Sequence, residues 1–212
     1  MYFVYCDDKK FYDIRDDSLL LANPILELED NASGSFSFDI SDSNIFFNKI
    51  NPMLSKIEVF QDKEKIFEGR PIEFRENFNR TMTYRCEGAL AYLCDSVQPQ
   101  AEFHDTSVQD FLKALLKVHN DKMPKEKQIK LGRVTVEANL YRFTNMELTL
   151  EAIKEKLVKN LGGHIIIRYE GKERYLDYLK EGEKNETQTI SFGENLLNFT
   201  KNLDVTKIVT RL

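Results

Sequence analysis

Three histidines, His104, His119 and His164, are the residues of this 212-residue chain that a proton-transfer site or a metal site would use first. A helical zinc site places its second ligand three or four residues after the first, so that both lie on one face of the helix. None of the three histidines is followed by a metal ligand at either spacing. The pattern instead predicts packing or capping roles, with an imidazolium at His119 stabilising a helix end and His164 starting a strand.

Paired carboxylates are frequent, and two of them close in space would suffice for a glycosidase. The sequence singles out no such pair from its neighbouring acids: Asp7–Asp8, Asp16–Asp17, Glu27 with Glu29, and Asp39 with Asp42. The run DISDSN, from Asp39 to Asn44, begins like a calcium-binding loop. It lacks the glycine of the sixth position, and Ile50 stands where the twelfth position needs a bidentate glutamate. We therefore predict a solvated turn for this run.

The three cysteines, Cys6, Cys86 and Cys94, include no CxxC spacing and cannot all pair. Each lies among apolar neighbours in the sequence, which predicts buried free thiols and not reactive ones. Free cysteines fit folding in a reducing cytosol.

Two further patterns look like binding motifs but have simpler explanations. Gly162–Gly163 follows a predicted helix, whereas a dinucleotide-binding glycine loop opens one, and no GxGxxG is present. Four phenylalanines either line a sugar-binding groove or fill a core, and their positions on predicted strands and turns favour the core: Phe36, Phe38, Phe46 and Phe47. The sequence thus predicts no catalytic residue, no cofactor-binding residue and no metal ligand.

The composition bounds the class of protein. Subtracting 35 acidic from 30 basic residues gives a net charge of −5, which does not favour binding to nucleic acid or to an anionic membrane. The chain has no run of about 18 apolar residues that would span a bilayer. Its first ten residues, MYFVYCDDKK, have no basic leader and predict a first strand. With 42% hydrophobic residues, 212 residues suffice for one or two domains.

Short strands dominate the first hundred residues. Apolar residues alternate on both sides of the turn at Asn31–Gly34, as in antiparallel strands packed on one face. Further hairpins are predicted around Asp7–Asp8 and Asp62–Glu64, and Gly69 offers a bulge or bend before a long strand pair. One or two helical turns are expected at Ala89–Cys94. This pattern of many short strands indicates a small barrel or sandwich.

Helices follow after Gln98–Pro99. A helix capped by Thr106 or Ser107 has apolar residues at i, i+3, i+4, i+7 and i+8, counted from Val108. A short strand is expected at Val134–Val136. A second helix, from about 147 to 161, ends at the glycine pair and precedes a hairpin of 164–169 with 173–178. The remaining segments are strand-like at 190–192, 195–203 and 205–209.

Four blocks of the sequence together resemble the hub proteins of phage tail tips, known in siphophages and prophages as the prophage tail-endopeptidase or minor structural family. They span nearly the whole chain in the family's order: Leu21–Phe38, Gly69–Ser96 (GRPIEF…YRCEGALAYLCDS), Tyr141–Leu179 and Ile190–Leu212. The family is itself similar to the trimeric hub of contractile-tail baseplates.

The resemblance implies an α+β fold, in which an N-terminal antiparallel β-barrel is interrupted by an α/β insertion of helix, helix and hairpin. The barrel corresponds to residues 1–103 plus 186–212, and the insertion to residues 104–185. The family pattern continues into a second barrel. Because this chain stops at Leu212 inside an apolar, β-prone run, whereas domain ends are usually polar, we expect it to be truncated before that barrel.

The resemblance also implies a structural function and not an enzymatic one. We expect the N-terminal part of a tail-tip hub, made in the bacterial cytoplasm and located at the virion tail tip, without membrane insertion. Its expected partners are other tail proteins at the tube, further copies in a full-length homotrimer, and DNA that passes without specific binding. Peptidoglycan cleavage, which the family places in C-terminal extensions, and glycan binding are the alternatives.

The end of the chain is the expected subunit interface. Its last apolar residues favour strand addition to a continuation or a partner: Val205, Ile208, Val209 and Leu212.

Overall fold

Seven antiparallel strands from the first 88 residues form the largest sheet in the described part of the chain. A computed structural model of the chain describes residues 2–181. The strands pair in the order β2-β1-β5-β6-β7-β4-β3. Their bounds are Tyr2–Cys6 (β1), Lys9–Tyr12 (β2), Ala22–Glu27 (β3), Ser35–Ser41 (β4), Ile57–Gln61 (β5), Glu64–Glu76 (β6) and Thr81–Gly88 (β7).

Local sequence explains the turns and faces of this sheet. Asp7 and Asp8 join β1 to β2 with φ angles of 50° and 64°. Two consecutive residues with positive φ give the tight turn that matches strand twist, and aspartate tolerates this conformation well. Along β4, Phe36, Phe38 and Ile40 are buried and alternate with more exposed residues. The predicted hairpin and the predicted alternation are both confirmed.

The sheet is curled. Residues near both of its edges line one apolar groove of about 530 Å³, which requires the two edges to approach each other. The groove, called the apolar groove below, is lined by Tyr2 and Tyr12 from one edge region and by Leu21, Pro24, Leu26 and Leu28 from the other. Within residues 2–181, β2 and β3 are the two edge strands, so the described strands form an open curled sheet.

Gly69 has a different role from the predicted bulge or bend. Strand β6 continues through it, and the shift in the pairing of β6 with β7 falls between Pro71 and Glu73. A Cβ atom on Gly69 would lie 2.1 Å from the carbonyl oxygen of Glu87. Glycine is therefore needed here because the backbones of β6 and β7 approach closely.

The second half of the described chain mixes helices with two small sheets. Strands β8 and β10 form a two-stranded ribbon, and β9, β12 and β11 form a three-stranded sheet in which β9 and β12 are parallel. The strand bounds are Ala101–Ser107 (β8), Lys130–Val134 (β9), Asn139–Thr144 (β10), His164–Glu170 (β11) and Glu173–Leu179 (β12).

Two longer helices and a 3-10 helix pack beside these sheets. The 3-10 helix, Ala89–Asp95, occupies the expected helical turns, and α1 spans Val108–Lys122 with the Ser107 hydroxyl accepting from the Asp110 amide. Helix α2 consists of Thr149–Ile153, a π-helical segment Lys154–Val158 and Lys159–Leu161. Gly162, with φ of +70°, follows its end as predicted. In the described chain, no helix is long and apolar enough to cross a membrane.

Buried side chains form two clusters. One lies inside the curled sheet and includes Phe11, Phe38, Ile57 and Tyr84. The other lies among the 3-10 helix, α1, α2 and the three-stranded sheet, and includes Leu93, Phe111, Leu157 and Tyr178. The expected return segments after residue 189 lie outside the described residues.

Candidate functional site

One pair of side chains has the geometry of a nucleophile and its base. The Ser96 hydroxyl lies 2.8 Å from His119 Nδ1, and His119 Nε2 lies 3.1 Å from the carbonyl oxygen of Lys127. Because a carbonyl only accepts, Nε2 carries the proton and Nδ1 accepts from Ser96. Thr149 Oγ1 lies 2.6 Å from the same serine hydroxyl, and Gln98 donates to Thr149 at 2.7 Å.

This network is closed to a substrate. Ser96, His119 and Thr149 are all almost completely buried. Burial lowers the pKa of His119, which keeps the imidazole neutral. The prediction of an imidazolium at the helix end was therefore wrong, while the prediction of a packing role is confirmed. The polar network connects the end of the 3-10 helix to α1 and α2. Its side chains form hydrogen bonds with one another inside the core, so the network has a structural role.

The other two histidines are near the surface and make single polar contacts. His104 Nε2 lies 3.1 Å from a Glu102 carboxylate oxygen. His164, at the start of β11 as predicted, has Nδ1 2.7 Å from an Asp30 carboxylate oxygen. Within residues 2–181, no three His, Cys, Asp or Glu side chains are arranged to hold a metal ion.

The cysteines differ from one another. Cys6 and Cys86 are buried in the sheet core, as predicted, and burial raises the pKa of the Cys6 thiol to about 12 and that of Cys86 also. Both therefore stay as unreactive thiols. Cys94 is exposed, so its predicted burial was wrong. It lies on the outer side of the 3-10 helix, although burial of part of the thiol still raises its pKa.

The acidic run from Asp39 to Asn44 is less solvated than predicted. Asp39 belongs to β4, where its carboxylate accepts from Thr83 at 2.6 Å and from Asn23 at 2.8 Å. Asn44 is buried, and its amide donates to the Leu20 carbonyl. The run therefore anchors a strand end and the turn after it. The phenylalanines assigned to the core are buried or partly buried, which confirms that assignment: Phe36, Phe38, Phe46 and Phe47.

A chain of buried charges joins β6 to β12. The Arg174 guanidinium on β12 pairs with the Glu68 carboxylate on β6, and the side chains are only 5% and 1% exposed. Lys65 donates to Glu68 at 2.7 Å and to Glu58 at 2.5 Å. Burial would raise the pKa of the Glu58 carboxyl, but hydrogen bonds from Lys65 and Lys56 hold it below its usual value.

Arg70 extends this network to the 3-10 helix. Its guanidinium pairs with Asp95 and, at 2.8 Å, with Glu87. The guanidinium carbons of Arg70 and Arg174 lie 5.3 Å and 5.6 Å from the ring centre of Tyr92, so both cations contact one aromatic ring. Sequence reasoning missed the network, because its members are distant in the chain and no local pattern marks them.

The network lines a cavity of about 590 Å³, a volume typical of ligand sites. Its buried charged groups are Glu68, Arg70 and Arg174, and each is already paired. Among the described residues, the buried side-chain atoms without a partner belong to Arg142 and Glu147, which do not line this cavity. The charges therefore pair with one another and fix the geometry of the contact between β6, β12 and the 3-10 helix.

Exposed apolar side chains are found in several regions of the described chain, and two of these groups contain aromatic rings. The end of the β6–β7 hairpin, residues 72–80 and here named the hairpin tip, exposes Ile72, Phe74 and a fully exposed Phe78. The β8–β10 ribbon exposes Tyr141 and Phe143, whose rings stack with centres 6.4 Å apart. Large exposed apolar groups that cluster in this way mark interaction surfaces. The sequence analysis predicted the strand pair of this hairpin and neither of the two exposed surfaces.

The residues predicted as the subunit interface, Val205, Ile208, Val209 and Leu212, lie outside the described residues. The structure brings none of the three histidines together and assembles no cluster of exposed carboxylates with a histidine in the part that it describes. The structure adds three surfaces to the sequence analysis: the hairpin tip, the apolar groove, and the exposed rings of Tyr141 and Phe143 on the β8–β10 ribbon, here named the aromatic ribbon.

No protein-family model matches the chain, and no curated protein matches its sequence. Solved structures do match its fold. Prophage tail protein gp18 from Listeria monocytogenes EGD-e has a TM-score of 0.56 at 11% identity, and the match covers 84% of this chain and 49% of that protein. The 43 kDa tail protein of prophage MuSo2 from Shewanella oneidensis has a TM-score of 0.56 at 13% identity, covering 84% and 52%.

A tail protein from Neisseria meningitidis MC58 gives a TM-score of 0.54 at 17% identity, covering 84% of this chain and 50% of that one. The chain thus spans about half the length of these tail proteins. The predicted resemblance is confirmed at the level of the fold: this chain has the fold of prophage tail proteins.

Proposed function

We propose that the protein is a structural component of a phage tail and forms part of the hub at the tail tip, where the tube ends. The observation that carries this proposal is the fold that it shares with three prophage tail proteins. The surfaces of the described chain support it. They offer exposed apolar residues suited to protein contacts, whereas the pair of Ser96 and His119 is buried.

The proposed architecture follows the resemblance of the sequence. Residues 1–103 and 186–212 would form one barrel domain, and residues 104–185 the insertion domain. The open edges of the curled sheet support this arrangement, because an edge strand accepts a returning strand through backbone hydrogen bonds. The expected boundary at residue 103 falls within β8, so the insertion would begin inside the ribbon.

In the assembled tail, the full-length protein would form a homotrimer that contacts neighbouring tail proteins at the tube. Val205, Ile208, Val209 and Leu212 would contribute to the contacts around the threefold axis. A closed ring of this kind needs heterologous contacts, in which two different surfaces of each copy meet. DNA passing through the ring would not be bound specifically, which agrees with the net charge of −5.

The location of the chain in tail particles tests this function. Particles purified from the bacterium that encodes the chain would be labelled with gold-conjugated antibody and imaged by electron microscopy. We expect label at the distal end of the tube, and deletion of the gene should leave phage heads without complete tails. Particles that lack the chain, or that carry it along the whole tube, would refute the proposal.

Glycan binding is the second candidate, and the aromatic ribbon favours it. The stacked rings of Tyr141 and Phe143, with His104 5.1 Å from Tyr141, form an exposed aromatic face of the kind that stacks on sugar rings. Binding of the purified chain to a glycan array, lost in Tyr141→Ser, would support this candidate. Clearing of peptidoglycan in a zymogram by the purified chain would instead favour a hydrolase. It would oppose both the structural tail function and glycan binding.

A further inference from the structure

Strand β10 has its apolar and polar sides reversed. Its side chains Leu140, Tyr141 and Phe143 are exposed, whereas Arg142 and Thr144 are buried. Burial favours the opposite arrangement, because an apolar side chain gains free energy by leaving water and a charged one loses it. Natural sequences depart from such local rules mainly at functional sites, so the buried side of β10 is a candidate for one.

Arg142 carries a buried charge that no carboxylate neutralises in the described chain. Its side chain is only 5% exposed, and a guanidinium in a protein stays protonated. Burial lowers the pKa of Arg142, and the group that opposes this shift is Tyr178, not an acid. Because an unpaired buried charge costs folding free energy, the closed position of β10 is destabilised by its own arginine.

The contacts of Arg142 use one part of its guanidinium. Nη1 donates to the carbonyl oxygens of Thr106 at 2.9 Å and of Leu140 at 3.4 Å, and the guanidinium carbon lies 5.4 Å from the ring centre of Phe111. Nε and Nη2 are buried and have no hydrogen-bond partner in the described chain. The N–H bonds of these two nitrogens point the same way, so together they match the two oxygens of a carboxylate.

Other arginines of this chain show what this pair of nitrogens binds. Arg168 donates from Nε at 2.8 Å and from Nη2 at 3.3 Å to the two carboxylate oxygens of Asp177. Arg15 donates in the same way to Asp13, at 3.2 Å and 3.3 Å. Arg142 offers the same two donors without an acid, so a carboxylate is the ligand that suits them.

The β8–β10 ribbon must move to admit this ligand. Arg142 projects from β10 onto Phe111 of α1, so its free nitrogens are covered while the ribbon lies on the helix. Within residues 2–181 the ribbon has two strands only, and their pairing is irregular between Leu140 and Arg142. The side chains that β10 buries are polar, so this strand adds no apolar contact to the core. A two-stranded ribbon held in this way is marginally stable.

We propose that the β8–β10 ribbon separates from α1 and thereby opens a carboxylate-binding site at Nε and Nη2 of Arg142. The ligand is the carboxylate of an acidic side chain, supplied either by another protein or by the acids of this chain outside the described residues: Glu183, Glu186, Glu194 and Asp204. The site goes beyond the proposed tail function and does not depend on it.

Hydrogen exchange of the whole 212-residue chain tests the movement of the ribbon. Arg142→Met has a similar length and removes the unpaired charge, so we expect the amides of β8 and β10 to open at least about tenfold more rarely than in the wild type. Arg75→Met, which removes an exposed guanidinium paired with Glu73, should leave their exchange unchanged. The amides of β4, in the other buried cluster, report whether each variant is folded. Equal or more frequent opening in a folded Arg142→Met would overturn the proposal.

The Nε–H signal of Arg142 in NMR spectra tests the ligand without altering the chain. Sodium acetate supplies a free carboxylate, and sodium chloride at the same ionic strength is the control. We expect acetate, and not chloride, to shift this signal as a hydrogen bond forms. Arg142→Lys identifies the signal by its loss and retains the charge without the paired donors, so acetate should no longer shift the amides of β10.

A variant without the acids of the last 31 residues distinguishes the two sources of carboxylate. It combines the substitutions Glu183→Gln, Glu186→Gln, Glu194→Gln and Asp204→Asn. An acetate shift in the wild type assigns the site to an external carboxylate, whereas a shift that appears only in this variant shows that an acid of the chain occupies it. If acetate shifts the signal in neither protein, the free nitrogens bind water only and the inference is wrong. That result would leave the antibody labelling of tail particles unaffected, so it is distinguishable from failure of the proposed function.

Discussion

Hydrogen bonds to neighbours inside the described core occupy the most enzyme-like pair of side chains, and this decides what the pair can do. Ser96 and His119 have the separation of a catalytic pair, yet the second ring nitrogen of His119 is used by a backbone carbonyl and the serine is shared with Thr149. In an enzyme, one side of such a pair faces a cleft. Here both sides face the core, so the histidine contributes to folding, and protonation would break its hydrogen bond from Ser96.

The buried imidazole makes stability depend on pH. Because burial lowers its pKa in the folded chain, the unfolded chain, with the ordinary value near 6.5, binds a proton that the folded chain does not. The free energy of unfolding should therefore have its full value above pH 6.5 and fall as the pH drops below it. Urea titrations at a series of pH values measure this, and His119→Gln, which retains a donor and an acceptor, should flatten the fall.

His104→Gln is the matched control, since its imidazole is exposed and lies beside Glu102 and Tyr141. It removes a histidine but leaves His119 in its buried network, so the fall that comes from His119 should remain. An equally steep fall in His119→Gln would show that other groups are responsible.

At the scale of the elements, sequence patterns predicted the helices and strands whose structure depends on residues nearby in the chain. The alternation along β4, the cap and apolar stripe of α1 and the glycine pair after α2 are local signals, and each element is present. The ribbon of β8 and β10 was missed. Its strands are separated by α1 and β9, and the residues that β10 buries are polar, Arg142 and Thr144, so β10 shows no apolar face with period two.

Because sequence patterns report only local interactions, they also explain which buried and exposed side chains were predicted. Phe36 and Phe38 were assigned to the core from local alternation, and they lie there. Phe78 was not singled out, because its exposure depends on how far β6 and β7 project past β5, which is a property of pairing between strands. The paired charges Glu68 and Arg174, 106 residues apart, likewise have no signature in either segment.

The cap of α1 offers a test at this scale. The Ser107 hydroxyl accepts from the Asp110 amide at 3.0 Å and donates to its carboxylate at 2.7 Å, so Ser107→Ala leaves an amide of the first turn without its partner. We expect the free energy of unfolding to fall by about 1 kcal/mol in urea denaturation. Ser107→Thr retains the hydroxyl and should stay near the wild-type value, and an unchanged Ser107→Ala would mean that water replaces the cap at no cost.

For the whole described molecule, the question is how its two clusters of buried side chains are held together. The sheet core and the helical core each have apolar interiors, but Glu68, Lys65, Arg70 and Arg174 lie where β6 meets β12 and the 3-10 helix. Buried ion pairs add little net stability compared with apolar contacts, but they fix geometry because a displaced partner leaves a buried charge unpaired. Such a junction fixes the positions of β6, β12 and the 3-10 helix relative to one another.

This junction predicts that the two clusters unfold together. In native-state hydrogen exchange, the slowest amides of β4 and of α1 should report the same free energy of opening in the wild type. Glu68→Gln leaves the Arg174 guanidinium buried without its carboxylate, which should cost roughly 3 kcal/mol or more and act on the contact itself. We therefore expect the variant to lower both opening free energies and to separate them, because each cluster can then open alone. Glu155→Gln, which breaks the exposed pair with Lys159, controls for loss of a carboxylate and should change neither value. Different opening free energies already in the wild type would show that the clusters are independent folding units, and the buried charges would then have no part in joining them.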